Sequence, residues 1–358
     1  MLKPRKKTRK IILGGVEIGN GAPVSVQSMT NTDTRDWAAT CVQIEELARA
    51  GCEIVRVAVP DEEAARVLDR IKERTTLPLV ADVHFDHRLA LAALERGVDG
   101  LRINPGNIGG REAVRKVARA ARARSVPIRV GVNAGSLEKD LLAAHGRPSP
   151  EALVKSAKRH IALLEEFDFD LIKVSLKSSD VADTVAAYRL MAAETDYPLH
   201  LGVTEAGTLI SGLAKSALGI GLLLAEGIGD TFRVSLTRPP VEEVRAGWAI
   251  LNALGLRRRG PELISCPTCG RCEIDLFSLV EQVEADLDAV TAPIKVAVMG
   301  CVVNGPGEAR AADVGVAGGR GQGILFRKGE VAGKVPEKDL AASLKAEVQK
   351  VINREGKN

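Results

Sequence analysis

Hydrophobic and polar positions alternate in short bursts from residue 22 to about 255, and amphipathic stretches separate the bursts. Eight β-rich runs follow in order: "PVSVQSM", "EIVRVAV", "LVADVHF", "GLRINPG", "IRVGVN", "LIKVSLK", "LHLGVTE" and "FRVSLTR". Between them lie Ala/Leu/Glu/Arg-rich segments with helical spacing, such as "DWAATCVQIEELARAG", for which Thr34 or Asp36 is placed as cap, and "DEEAARVLDRIKERT". Eight β-α units in one region predict a TIM barrel. An open doubly wound sheet is the alternative, but the region has no GxGxxG turn and the count of eight fits a closed barrel.

Successive side chains of a strand point to opposite faces, so each run can be sorted. Val55, Val57 and Val59 oppose Arg56; Leu101 and Ile103 oppose Arg102 and Asn104; Ile128, Val130 and Val132 oppose Arg129, Gly131 and Asn133. Ile172, Val174 and Leu176 oppose Lys173, Ser175 and Lys177, and the last two runs set His200 and Thr204, then Arg233 and Ser235, against their aliphatic sides. The aliphatic face meets the helices, which sends Arg56, Arg102, Arg129, Lys173, Lys177 and Arg233 into the lumen. Unpaired buried charges are costly. Asp82 and Glu205 are the expected counter-charges, and the remaining positive excess predicts an anionic ligand with more than one phosphate at the C-terminal mouth. A self-satisfied salt-bridge network is the competing account.

The barrel rhythm stops after "LNALGLRRRGPELIS", with Arg257–Gly260 as the expected hinge. The expected domains are therefore 1–257 and 258–358. The second is read as a small α+β domain: a cysteine turn, a helix from about 276 to 290, the strand "IKVAVMG", a glycine-rich stretch, the strand "ILFRKG" and a helix from about 336 to 353. The "GGRGQG" run is read as a turn rather than a phosphate cradle.

Composition narrows the function classes. Aromatic residues make up 3% of the chain, too few for base-stacking platforms, so no nucleic-acid partner is expected. The basic start "MLKPRKKTRK" is read as a solvated tail, and the apolar stretch after it is broken by Gly14, Gly15 and Glu17, unlike a signal peptide. The run "LGIGLLLAEGIG" is too short to span a bilayer, so no membrane association and a cytoplasmic location are expected. Cys41 and Cys52 read as buried small hydrophobes. The other four cysteines gather near the carboxyl end, which points to metal or redox chemistry rather than a disulfide framework.

"SCPTCGRCEIDL" holds Cys266, Cys269 and Cys272, and "VMGCVVNGPGEAR" holds Cys301 and Glu308. C-x2-C-x2-C with a distant fourth cysteine favours an iron-sulfur centre over zinc, where pairs usually face pairs. Glu308, beyond an Asn-Gly-Pro-Gly turn, would be a hard and displaceable ligand among soft thiolates; an ordinary loop carboxylate is the alternative.

The motifs "CPTCGR", "VMGCVVNGPGEA", "QSMTNT", "GCEIVRVAVP", "RINPGNIG", "GVNAGSLEKDLL", "PLHLGVTEAG" and "GIGDTFRVSL" together resemble the bacterial 4-hydroxy-3-methylbut-2-en-1-yl diphosphate synthase family over most of the chain. The resemblance implies an α/β fold, a TIM (β/α)8 barrel followed by a small α+β iron-sulfur domain. It implies a [4Fe-4S] cluster on Cys266, Cys269, Cys301 and Glu308, and a homodimer in which one chain's cluster domain closes over its partner's barrel. Arg56, Arg102, Arg129, Lys177 and Arg233 resemble the family's diphosphate-binding cations, and Asn133, Glu205 and Ser235 resemble the rest of its pocket lining. The implied reaction opens the ring of 2-C-methyl-D-erythritol 2,4-cyclodiphosphate and eliminates water, using two electrons from flavodoxin or ferredoxin. Glu205 is the candidate acid/base and Glu308 the displaceable ligand that makes catalysis possible. Cys272 departs from the family pattern and is read as a bystander. A radical enzyme using S-adenosylmethionine and a zinc-stabilised anion-binding module are the competing classes.

Overall fold

A computed structural model of the chain describes residues 2–301, 307, 310 and 312–355. The chain divides into two compact units, Met1–Arg257 and Arg258–Asn358.

In the first unit a short antiparallel hairpin, β1 (Ile11–Leu13) and β2 (Val16–Ile18), precedes eight parallel strands. These are β3 (Ser25–Met29), β4 (Ile54–Ala58), β5 (Leu79–Asp82), β6 (Gly100–Ile103), β7 (Ile128–Asn133), β8 (Ile172–Lys177), β9 (His200–Leu201) and β10 (Thr231–Phe232). Seven lie within the runs read from alternation, and β10 begins one residue before its run, at Thr231. Their order in the sheet is β8-β7-β6-β5-β4-β3-β10-β9, and a bridge between Val174 and Leu199 joins its two ends into a barrel. Helices follow the strands on the outside; the first, Trp37–Ala50, is capped by Asp36, whose carboxylate accepts from Ala39 N. Cys41 and Cys52 are buried in the core between strands and helices, and burial pushes the Cys52 thiol up to about 12.

The strand registers decide which lumenal side chains share a level. The stagger accumulated once round the barrel is eight residues, so alternate strands supply each layer of four inward side chains. From the bottom the layers read Ile54, Gly100, Lys173 and Thr231; then Gln27, Val80, Arg129 and His200; then Arg56, Arg102, Ser175 and Arg233. Above these come Met29, Asp82, Gly131 and Gly202, and then Ala58, Asn104, Lys177 and Ser235.

The hairpin was not anticipated. Ile11, Leu13 and Ile18 pack on Ile54 and Val80, closing the barrel from below, and a Cβ on Gly100 would sit 3.1 Å from a Leu13 methyl. The basic amino terminus is a structural strap, not a solvated tail. Lys6 Nζ donates to the Ala192 and Thr195 carbonyls, Arg5 pairs with Asp230 at 3.0 Å, and Arg9 pairs with Asp196 at 2.8 Å while covering the Tyr197 ring. Lys6 thereby satisfies carbonyls left open at the end of the helix Val181–Glu194.

The second unit is a five-stranded sheet in the order β11 (Glu262–Ser265), β12 (Lys295–Met299), β13 (Val314–Gly319), β14 (Gln322–Arg327) and β15 (Glu330–Pro336). The first three strands are parallel and the rest antiparallel. The helices Leu276–Leu287 and Leu340–Glu355 pack on one face through Leu279, Val283, Leu344 and Val348. The later part of the glycine-rich stretch, residues 314–319 and 322–323, is strand rather than loop, and its glycines are packing devices: a Cβ on Gly318 would collide with Ile274. "GGRGQG" is the tight turn between β13 and β14, with Gly321 at φ 66°. Among the described residues, no helix is long and apolar enough to cross a membrane.

Candidate active site and thiol turn

The barrel lumen holds Arg56, Arg102, Arg129, Lys173, Lys177 and Arg233 against two carboxylates. Asp82, on β5, serves two arginines: Arg102 Nη1 donates to it at 3.2 Å and Arg56 Nε lies 3.6 Å away. His84, just beyond the same strand, adds a contact at 3.4 Å and also meets Arg102 Nη1. Burial alone would raise the Asp82 carboxyl, but the Arg56 charge, the His84 hydrogen bond and Arg102 outweigh it, and hold it far below the usual carboxylate range.

The second carboxylate is Glu243, not Glu205 as expected from the sequence. Glu243 lies in the first turn of the helix Pro240–Ala253 and receives Arg233 Nε and Nη2 at 3.1 Å each, a bidentate pair, together with Ser28 Oγ and Leu236 N. Glu205 stands exposed on the loop after β9, with φ 51°. Its place one step past the lumenal phase takes it out of the network.

Among the described residues, two carboxylates serve three of the six cations and leave Arg129, Lys173 and Lys177 without a carboxylate partner. Burial, reinforced by Arg129 and Arg56, pushes Lys173 down to about 7 and Lys177 well below its ordinary value. Burial likewise pushes Arg56 down to about 10, against the pull of Asp82, and Arg129 well down. Removing these charges from water opposes the protonated state, which a bound polyanion would favour.

Two glycines make room at the level between the arginine layer and Lys177. A Cβ on Gly131 would sit 2.6 Å from Arg102 Nε, and one on Gly202 would sit 2.8 Å from Lys177 Nζ. The guanidinium and the ammonium therefore lie flat on bare backbone, facing the axis. Asn133 and Ser235 are half-buried at the mouth, with Asn133 paired in register with Lys177. Glu243 escaped the sequence reading because it sits on a helix, beside an equally placed Glu242. Its usable signal was the first turn of a proline-started helix immediately after a lumenal arginine.

In the second unit β11 and β12 are parallel neighbours, with Ser265 opposite Val298, so Cys266 and Cys301 emerge from the same end of the sheet. Cys266 Sγ accepts from Gly300 N at 3.3 Å. A Cβ on Gly300 would sit 2.6 Å from Cys272 Sγ and 3.5 Å from Cys266 Sγ, so these two sulfurs share one corner. Cys269 is exposed on the turn, next to Thr268 at φ 61°. Glu308 lies outside the described residues, and among those described no group of three or more His, Cys, Asp or Glu side chains is gathered around a point as metal ligands would be. The donor set is soft thiol on adjacent strand ends, which suits iron-sulfur or zinc chemistry.

Two family models match the chain: the GcpE TIM-barrel domain over residues 8–248 and the GcpE protein C-terminal domain over residues 262–350. The chain belongs to the GcpE family. A relative from Geobacter sulfurreducens, named 4-hydroxy-3-methylbut-2-en-1-yl diphosphate synthase (flavodoxin), is 62% identical over 348 residues, covering 97% of this chain and 99% of its own. A relative of the same name from Maridesulfovibrio salexigens is 62% identical over 331 residues, 92% of each chain. Among solved structures, a type I 3-dehydroquinate dehydratase from Clostridium difficile matches with a TM-score of 0.50 at 15% identity, over 69% of this chain and 98% of that one. That likeness concerns the fold alone. In this GcpE-family chain the cationic lumen and the thiol turn belong to separate units, each within its own family model.

Proposed function

We propose that this GcpE-family chain is a 4-hydroxy-3-methylbut-2-en-1-yl diphosphate synthase, which reductively opens 2-C-methyl-D-erythritol 2,4-cyclodiphosphate and eliminates water. The observation that carries the reading is the lumen, six cations against two carboxylates, an excess that the two negative charges of a cyclic diphosphate offset in part. Arg56, Arg102, Arg129, Lys177 and Arg233 hold the diphosphate, with guanidinium edges matching pairs of phosphate oxygens. Asn133 and Ser235 line the remainder of the pocket at the mouth. Glu205 is the acid/base residue near the leaving oxygen. Its support is a left-handed backbone between two glycines, Gly202 and Gly207, a strained posture that is common where a side chain is aimed for chemistry.

Cys266, Cys269 and Cys301, with Glu308, hold a [4Fe-4S] cluster. When bound, it supplies single electrons and a Lewis-acidic iron. Flavodoxin is the electron donor, in keeping with the names of the relatives, and ferredoxin is the second reading. The enzyme works in the cytoplasm as a homodimer; Ile210, Leu218 and Leu222, exposed on one helix, offer apolar surface for a second copy to cover.

The test is anaerobic reconstitution and reductive turnover of the cyclodiphosphate by wild type, Glu308→Ala and Cys272→Ser, with iron and sulfide measured in each. Wild type should carry about four irons and four sulfides. Cys272→Ser should keep them, and Glu308→Ala should lose turnover. Cluster loss in Cys272→Ser together with full activity in Glu308→Ala would reverse the ligand assignment. Colourless protein with stoichiometric zinc would remove the redox reading altogether.

A further inference from the structure

Polar atoms without a protein partner are concentrated at the floor of the barrel. Among the described residues these buried atoms include Ser25 Oγ, Gln27 Oε1, Arg129 Nε and Nη2, both ring nitrogens of His200, and Thr231 Oγ1. The register places them together. Thr231 is paired with both Ser25 and His200, Arg129 is paired with Lys173, and Gln27, Arg129 and His200 share one layer above Lys173 and Thr231. This floor lies below the layer of Arg56, Arg102 and Arg233, and the β1–β2 hairpin seals it underneath. His200 and Thr231 are fully buried and Lys173 is 2% exposed.

Neither floor layer contains a carboxylate. Asp82 sits above the arginine layer and is engaged by Arg56, Arg102 and His84. Asp230 faces the amino-terminal strap, where Arg5, Thr8 and the Leu199 amide already hold it. Two cationic side chains, two hydroxyls and an imidazole therefore converge with no carboxylate among them, and Asp230 acts on Lys173 only through space. Buried polar atoms in native proteins rarely go without partners, and water would supply hydrogen bonds but no countercharge. Arg129 contributes to both levels: Nη1 donates to Ser175 Oγ at 3.0 Å, in the layer above, while its Nε and Nη2 edge is the one left without a partner.

We propose that the barrel floor is a binding site for one small monovalent inorganic anion, held by Arg129, Lys173, His200, Thr231 and Ser25, that lies below the diphosphate site and shares only Arg129 with it. The anion offsets one of the two charges of Arg129 and protonated Lys173 and keeps the lower lumen charged while the substrate comes and goes at the mouth. The burial that pushes Lys173 down to about 7 agrees with a site whose proton and anion enter together.

Crystals of the holoenzyme with the diphosphate product in the mouth, soaked in bromide, test the placement. An anomalous peak between Arg129, His200 and Thr231 is expected; a peak confined to the mouth, or none, overturns the proposal. The solution test is urea unfolding of product-bound holoenzyme, exchanging gluconate for chloride at constant ionic strength. At chloride ten times its dissociation constant the unfolding constant should fall about tenfold. Thr231→Val and Lys173→Met should lose most of that response, and Thr231→Val, nearly isosteric, decides the matter if Lys173→Met does not fold. A chloride response equal in wild type and variants would refute the site.

Discussion

Replacing Lys173 with methionine should make the barrel more stable below neutral pH, although it removes a residue from the heart of the molecule. Lys173 is 2% exposed, and burial, then Arg129 and Arg56, lower it from 10.5 to about 7. In the unfolded chain the same group keeps its ordinary affinity for protons. Below pH 7 both states hold the proton, and the folded one pays the full penalty. Between pH 7 and 10.5 the folded lysine is neutral while the unfolded one is still charged, so wild-type stability rises with pH across this window. Above 10.5 neither is charged and the penalty is gone. The displacement corresponds to on the order of 5 kcal/mol, an upper limit since local relaxation reduces it. Methionine has similar length and no charge, so Lys173→Met should gain a few kcal/mol at pH 6 and little or nothing near pH 10.5. Urea denaturation in chloride-free buffer measures this. Trp37 and Trp248, the only tryptophans, both lie in the barrel unit, so their fluorescence reports that unit. A stability difference that stays flat from pH 6 to 10, or a variant less stable than wild type at pH 6, would refute the reasoning.

Three further outcomes test the lumen. Diphosphate binding at pH 8 should take up protons, because an incoming anion raises the depressed Lys173 and Lys177; calorimetry in buffers of different ionisation enthalpy reads the uptake, and affinity should fall as pH rises above 7. Gly131→Ala would set a methyl 2.6 Å from Arg102 Nε and move the guanidinium off its backbone seat, so kcat/KM should drop by roughly tenfold to a hundredfold with the fold retained. Glu243→Gln strands Arg233 without its bidentate partner and should destabilise the barrel by about 3 kcal/mol, seen as a lower urea midpoint.

The eight barrel strands could be read from the sequence because alternation is written residue by residue. "IRVGVN" assigns Arg129 and Asn133 to one face without any knowledge of a neighbour. The β1–β2 hairpin escaped, although apolar runs around Gly14-Gly15 are a hairpin signal, because strands of three residues carry too little pattern. Strand β13 escaped for the opposite reason. Its glycines look like a loop until Ile274 and Ala297 are seen pressing on the backbone at Gly318 and Gly315. In the second unit the four cysteines were evident from spacing, but the shared corner of Cys266 and Cys272 at Gly300 depends on β12 lying beside β11.

By itself the sequence determined which side chains face the lumen and that positive charge would outnumber negative there, since side-chain direction along a strand is a local property. Only the tertiary structure decided how those charges are shared: that Glu243 rather than Glu205 takes Arg233, that Asp82 serves two arginines, and that Lys173 sits with His200 and Thr231 beneath the rest. Coulomb energy depends on separation through space. Those separations are set by the eight-residue stagger of the closed barrel, which no single strand contains.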